Sequence, residues 1–237
     1  MLSNSDIAWG RLFAESVAII VSILLAFAID AWWADRQDRV EETRILEALK
    51  AEFEGNAREL PDRISNHQRS ADSATALLEA IRPAVGSGPV SVKKYLVLYA
   101  SDYGSFDPTR GAFDAMLQSD GLRYIRNPQI RQALADWPSY LDDATENEHL
   151  LRTIWGPRLL QEFSKLIDMG LMSDMQVCYD PAIDAACPET EIQIQPTLEL
   201  IGSLEPVRSY TLEAARELKI VEEVAIDIAK LIEQDLQ

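Results

Sequence analysis

Only a few of the side chains that most often carry out chemistry in proteins occur in this chain. There are two histidines, His67 and His149, and they lie far apart on segments rich in polar residues. We interpret both as solvated surface side chains. The sequence contains no phosphate-binding glycine loop followed by lysine, no HExxH, no CxxC and no nucleophile elbow. It therefore predicts a non-catalytic protein.

Carboxylates are plentiful, and their abundance makes them a weak signal for a site. The chain has 39 Asp and Glu residues against 22 Lys and Arg residues. The run DDATENEH, residues 142–149, places oxygen ligands in a row that could bind calcium weakly. It lacks the glycine and the spaced acidic residues of a calcium-binding loop. We therefore expect neither a metal nor a cofactor.

The two cysteines, Cys178 and Cys187, enclose a short proline-containing stretch and predict a disulfide that closes a loop at 178–187. Such a bridge stabilises a fold by about 2 to 3 kcal/mol because it restricts the unfolded chain. Disulfides persist in oxidising compartments, which favours the periplasm. The alternative is two unrelated thiols. Zinc is disfavoured, since two sulfurs without a neighbouring histidine do not complete its tetrahedral site.

The stretch SVAIIVSILLAFAIDAWWADR, near the N-terminus, predicts a transmembrane anchor over residues 1–34. A spanning helix needs about 20 mostly apolar residues. Indole rings favour the membrane interface, so we place Trp32 and Trp33 at one interface and Trp9 at the other. The alternative is a cleaved signal peptide, which the acidic start and the AWWADR exit fit poorly.

Asp30 lies near the end of the apolar run, where an unsatisfied carboxylate is expensive. It either reaches interfacial water or Arg36, or it faces a partner helix or an ion path, and of the last two we favour the partner helix. Small residues on the same helix allow close approach of such a partner. The residues predicted to contact it are Ser22, Ala26 and Asp30.

Two signals disagree on which side of a bacterial inner membrane the bulk of the chain lies. The arginines that follow the anchor favour the cytoplasm, whereas the cysteine pair favours the periplasm. Long domains translocate with little regard to flanking charge, so we favour the periplasm. The cytoplasmic side stays open.

Helical periodicity continues through most of the remaining chain and predicts an all-α fold. Residues 35–61 have apolar residues at helical spacing and predict an amphipathic stalk that continues the anchor. We expect Gly55 and Asn56 to loosen this helix and Pro61 to kink or end it. Residues 62–237 are predicted to form an irregular helical bundle, with a last helix over 207–236.

Proline marks the start of two short helices predicted in the middle of the chain. Asp107 with Pro108, and Asn127 with Pro128, each resemble an N-cap followed by proline at the first helical position. The preceding VSVKKYLVLY is predicted to be either a short helix capped by Ser91 or a strand.

WWADRQDR, ILEALKAEF and SFDPTRGAFDAMLQSDGLRYIRNPQIRQALADW together resemble a group of uncharacterised bacterial single-pass membrane proteins. The resemblance covers roughly residues 12–140. It implies packing and capping roles for Phe106, Pro108, Phe113 and Gly121. It implies an architecture and no activity.

The net charge of -17 argues against a nucleic-acid partner, because phosphates require a basic surface. Two functions remain. The first is an accessory or structural subunit that contacts the lipid bilayer and integral membrane subunits, with a homo-oligomer as a further arrangement. The second is a ligand-binding or sensory module with a pocket lined by Tyr95, Tyr99, Phe106 and Trp137.

Overall fold

The computed structural model describes residues 9–168, 170 and 191–237, with side chains from residue 13 onward. The described part of the chain is 82% helical with one small sheet, so the predicted all-α fold is confirmed. The six α-helices of the described chain are α1 (Trp9–Ile81), α2 (Lys94–Ala100), α3 (Gly111–Gln118), α4 (Pro128–Leu150), α5 (Gly156–Leu166) and α6 (Leu198–Asp235). Two strands, β1 (Val90–Lys93) and β2 (Glu191–Ile194), pair antiparallel with Val90 opposite Ile194.

Helix α1 is one continuous element of 73 residues, about 110 Å long at 1.5 Å per residue. The expectation that Pro61 could end the helix is wrong, since α1 continues for 20 residues to Ile81. Pro61 lies on the exposed side of the helix. The break after α1 falls where the sequence predicts it, at the turn Arg82–Ala84 that contains Pro83.

The start of α4 confirms one predicted cap, and the start of α3 overturns another. The Asn127 side chain accepts a hydrogen bond from Gln129 N, and Pro128 is the first helical residue. Helix α3, in contrast, begins at Gly111 rather than at Pro108. Ser91 lies in strand β1 and caps no helix. The last helix begins at Leu198, where the Thr197 side chain accepts from Leu200 N.

The buried apolar residues form two clusters, one behind the other along the bundle. The proximal core, nearer the N-terminal part of α1, joins α1 to α3, α4 and the C-terminal half of α6. Its largest side chains are Phe53, Phe106, Phe113 and Trp137. The distal core joins the end of α1 to α2, α5, the small sheet and the N-terminal half of α6, around Leu77, Ile81, Leu98 and Phe163.

A buried polar layer separates the two cores. On each long helix the polar position falls between the last residue of one core and the first of the other. The layer consists of His67, Ser70 and Ser73 on α1, Glu148 on α4 and Thr211 on α6. The interpretation of His67 as a solvated surface residue is therefore wrong, whereas His149 is exposed.

Helix α4 passes into α5 through a single π-helical turn, Leu151–Trp155, directly after the polar layer. The helix that follows packs closely against residue 103. A Cβ atom at Gly156 would overlap the hydroxyl end of Tyr103, so only glycine permits this approach. Burial, and then the nearby Asp102 carboxylate, raise the pKa of Tyr103 above its ordinary value of 10.0.

Candidate functional site

The most unusual surface of the molecule is the N-terminal part of α1. One helix of the described chain is long and apolar enough to cross a membrane, and it lies near the N-terminus. Its most apolar window has a mean hydropathy of 2.2, and none of that window is buried inside the chain. From residue 13 to residue 34 it measures about 33 Å, close to the thickness of a hydrocarbon core of about 30 Å.

The residues predicted for this surface are all on α1. Trp32 and Trp33 are more than half exposed, with ring centres 6.3 Å apart. Trp9 is the first residue of α1, and its side chain lies outside the described part of the chain. Cys178 and Cys187 also lie outside the described residues, so the predicted disulfide stays a prediction.

Ser22, Ala26 and Asp30 are exposed and lie at successive intervals of four residues. At 100° per residue, each interval of four turns the position by only about 40°, so the three share one face of the helix. The Ser22 hydroxyl donates to the Ala18 carbonyl at 2.8 Å. This internal bond satisfies the hydroxyl and leaves the face small enough for another helix to approach closely.

The bundle begins directly beside the end of the apolar segment. Arg126, which precedes α4, places its guanidinium 2.6 Å from the carboxylate of Asp35. The backbone N–H of Arg126 donates to Glu42, one of the buried residues of α1. Hydrogen bonds from Arg39 and then Arg126 lower the pKa of Asp35 below its ordinary value. The segment before α4 is therefore bound to α1 at Asp35, one residue after the end of the predicted anchor.

The segment predicted as a stalk is part of the bundle from Glu42 onward. Its residues Ile45, Leu46, Leu49, Phe53 and Leu60 are buried in the proximal core. Since Arg126 reaches α1 at Asp35, the bundle is not held away from the apolar segment by a free length of helix.

Polar side chains of α1 hold the loop that leads into α3. Glu52 accepts from Ala112 N at 2.6 Å and from Phe113 N at 3.1 Å. It thereby replaces the missing N-cap, because Arg110 provides no side-chain cap of its own. Asn56 binds both backbone groups of Thr109, through its amide nitrogen and its amide oxygen. We call Glu42, Glu52 and Asn56 the polar seam.

The polar layer contains one buried ionisable pair. His67 Nε2 lies 2.9 Å from Glu148 Oε1, and the two side chains are 0% and 4% exposed. The Glu148 carboxylate also accepts from Phe106 N at 3.1 Å, which brings the same loop onto α4. His67 Nδ1, Ser70 Oγ and Thr211 Oγ1 are buried with no hydrogen-bond partner in the described part of the chain.

The four aromatic residues predicted to line one pocket separate into two places. Phe106 and Trp137 belong to the proximal core, where the Trp137 ring meets Phe53 edge to face at 4.9 Å. Tyr95 and Tyr99 instead line a cavity on the side of the bundle. The prediction of a single pocket built from all four is therefore wrong.

The seam and the layer were missed in the sequence because their members are polar. Asn56 and His67 nevertheless fall at the helical spacing of the apolar face: Asn56 lies between Phe53 and Leu60, and His67 follows Ile64 by three residues. A polar residue at a core position of an otherwise regular apolar face is the signal that could have found them.

No protein-family model, curated protein or solved structure matches this chain. The resemblance to uncharacterised single-pass membrane proteins stays a prediction. The function therefore has to be inferred from the geometry alone.

Proposed function

We propose that this chain is a non-catalytic accessory subunit, anchored by one membrane span, that packs against integral membrane subunits of a larger complex. One observation carries the proposal: a single helix is uncovered and apolar in its first part and forms the core of the bundle in its second. The apolar first part has to be buried by a bilayer or a partner. The second part fixes the position of the bundle relative to that bilayer or partner.

A lipid bilayer is the environment that best buries the apolar segment of α1. Leaving a large aliphatic or aromatic side chain in water costs about 1.5 to 3 kcal/mol relative to burying it. Ten such side chains between residues 13 and 29 are more than 40% exposed, and no part of the described chain packs on them: Phe13, Val17, Ile19, Ile20, Val21, Ile23, Leu24, Leu25, Phe27 and Ile29. Trp32 and Trp33 follow at the end of the span, where indole rings are favoured.

The contact of Arg126 with Asp35 supports the accessory role. With the span ending near residue 34, the end of the bundle would lie at the membrane surface. A bundle in that position can brace the part of a partner that emerges from the bilayer. Ser22, Ala26 and Asp30 are the proposed contacts within the bilayer, where a partner helix would satisfy the Asp30 carboxylate.

The proposed location is a bacterial inner membrane, with the bundle in the periplasm. The cysteine pair favours this side, and the arginines after the span favour the cytoplasm. The partners are integral membrane subunits of respiratory, photosynthetic or transport machinery, or further copies of this chain.

The test is extraction of native membranes in mild detergent, followed by sizing and identification of the chains that co-migrate. Ala26→Leu places a large side chain on the proposed contact face, and Ala28→Leu makes the same change about 160° away around the helix. We expect the natural chain and the A28L variant to migrate in a stoichiometric assembly with other membrane subunits, and the A26L variant to leave it. Migration of the natural chain alone, or equal behaviour of the two variants, would contradict the proposal.

A further inference from the structure

A cavity of about 820 Å³ opens on the side of the bundle, between α1, α2 and α6. Its α1 residues run from Pro61 to Ser73, and the second half of this stretch lies at the height of the polar layer. The volume falls within the range of about 300 to 1,000 Å³ typical of small-molecule sites. The cavity is separate from the exposed anchor, so a ligand here would add a function beyond the proposed subunit role.

Charged side chains of both signs line the cavity without pairing with each other. Helix α1 contributes Arg69 and Asp72, and α6 contributes Lys219 and Glu222. On each helix the cation and the anion are three residues apart and are therefore neighbours on the helix surface. None of the four forms an ion pair in the part of the chain that the structure describes, although surface pairs at the same spacing form elsewhere, as between Arg216 and Glu213.

The remaining polar contacts leave most of these groups available. Asp72 accepts one hydrogen bond, from the Gln68 amide at 3.0 Å. Arg69 holds its guanidinium 5.1 Å from the centre of the Tyr99 ring, a stacking contact that uses none of its N–H donors. Ser73 is buried and lines the same cavity.

Tyr95 and Tyr99 add an aromatic wall beside the charges, with ring centres 6.1 Å apart. Tyr95 is half-buried, so part of its ring faces the cavity. An aromatic ring in this position can cover an apolar side chain or the face of another ring.

We propose that this cavity binds a small zwitterion of the amino-acid type, with an apolar or aromatic side chain. A purely anionic ligand would meet the carboxylates of Asp72 and Glu222. A purely cationic ligand would meet Arg69 and Lys219. A molecule with adjacent carboxylate and ammonium groups pairs with both signs at once, because each helix presents both one turn apart.

The residues take distinct roles in this site. The Arg69 fork matches a carboxylate and can donate two parallel hydrogen bonds to it. The Asp72 carboxylate accepts from the ammonium group. Tyr95 covers the side chain of the ligand, and Lys219 and Glu222 supply charges of both signs from the opposite helix.

The test is titration calorimetry on the full chain in detergent micelles, with L-phenylalanine as the probe. Its methyl ester carries only the positive charge, and N-acetyl-L-phenylalanine carries only the negative charge. We expect L-phenylalanine to bind at least about tenfold more tightly than either, since each lost charge pair removes a charge-assisted hydrogen bond. No heat of binding with L-phenylalanine, or equal affinity for all three compounds, would overturn the proposal.

Variants locate the site. Arg69→Gln and Lys219→Gln remove the two cations of the cavity, and Arg152→Gln removes an exposed cation outside it as a matched control. We expect affinity for L-phenylalanine to fall by about tenfold or more in R69Q and to stay unchanged in R152Q. Lys219 is exposed on α6, so K219Q tests the same cavity without changing the core. We expect K219Q to bind L-phenylalanine more weakly than the natural chain. Binding that survives both cavity variants would place the ligand elsewhere and would contradict this assignment.

The test of the cavity does not depend on the proposed role as an accessory subunit. Calorimetry in detergent reports on the cavity whether or not the anchor has a partner, and co-migration from native membranes reports on the anchor whether or not the cavity is filled. Failure of one experiment therefore leaves the other interpretable.

Discussion

The buried pair of His67 and Glu148 connects three parts of the bundle at one point. It links α1 to α4, and the same carboxylate receives the backbone N–H of Phe106. An uncompensated charge in a buried site costs several kcal/mol, whereas a charge that keeps its partners does not. The pair therefore sets how the loop before α3 is placed between the two helices.

We predict that His67→Leu lowers the free energy of unfolding by about 3 to 5 kcal/mol, because the Glu148 carboxylate keeps its burial and loses its partner. His149→Leu makes the same change at an exposed position of α4 and should stay within about 0.5 kcal/mol of the natural chain. Urea unfolding of both variants measures the difference. Equal midpoints for the two would show that the buried pair has no special role.

A double variant at His67 and Glu148 tests whether the effect of each substitution depends on the other residue. If the cost of His67→Leu comes from an orphaned charge, removing Glu148 as well should cost less than the sum of the two single changes. Additive losses in this double-mutant cycle would argue that the two side chains act independently.

Glu217 on α6 predicts a pH dependence. Burial raises its pKa above the ordinary 4.5, and the nearby Glu213 carboxylate raises it further, although the Asn147 amide donates to it at 2.7 Å. The folded state thus holds this proton more tightly than the unfolded state, so the stability it contributes is present below pH 4.5 and is lost as the pH rises through the raised pKa. Glu217→Gln should therefore raise the Tm at neutral pH and change it little below pH 4.5, whereas Glu223→Gln, at an exposed position, should change it at neither pH.

At the scale of elements, the starts of α3 and α4 show two ways of capping a helix. Helix α4 carries its own cap in Asn127 and proline at the next position. Helix α3 depends on Glu52, which is 60 residues away in sequence from the Ala112 N–H that it accepts. The first turn of α3 is therefore stabilised only when α3 packs against α1.

We predict that Glu52→Gln lowers the free energy of unfolding by about 1 to 2 kcal/mol, since a charged cap on two backbone N–H groups becomes a neutral one. Glu59→Gln provides the control, because Glu59 lies on the same helix, is exposed, and its side chain forms no ion pair or hydrogen bond in the described chain. Hydrogen exchange of the Ala112 and Phe113 amides should accelerate only in E52Q. Unchanged exchange in E52Q would show that α3 holds its first turn without this cap.

At the scale of the whole molecule, the apolar segment and the bundle share one helix, and among the described residues they make no contact with each other. The buried positions of α1 begin at Glu42, and the first contact between α1 and the rest of the bundle is at Asp35. Removing residues 1–34 therefore exposes no core residue and breaks none of the described contacts between α1 and the bundle.

We predict that a chain starting at Asp35 is soluble without detergent and has the Tm of the full-length protein within about 2 °C, because the buried area is unchanged. A chain that starts at Ile45 keeps the buried apolar residues of α1 but lacks Asp35 and Glu42. It should have a lower Tm, since the backbone N–H of Arg126 then loses its acceptor. Aggregation of the chain that starts at Asp35 would show that the apolar segment takes part in folding.

The sidedness of the proposed anchor is a second property of the whole molecule. If the bundle is periplasmic, a membrane-impermeant thiol reagent should label Cys178 and Cys187 in intact cells after mild reduction, and before reduction it should not. Labelling that requires lysis of the cells would place the bundle in the cytoplasm.

Local signals in the sequence determined the helical class, the end of α1 before Pro83 and the start of α4 at Asn127 and Pro128. These features depend on periodicity and capping within a few residues, so they can be predicted without a partner. The long apolar segment is predictable for the same reason, since its length and composition are properties of contiguous residues.

Only the tertiary structure decided which polar residues are buried and what they hold. Glu52 and Asn56 bind backbone groups more than 50 residues away, and His67 meets Glu148 at a separation of 81 residues. The start of α3 at Gly111 and the pairing of β1 with β2 likewise depend on long-range contacts. A sequence states the period of a helix face, but the partner of each polar side chain on that face is fixed only when distant segments pack together.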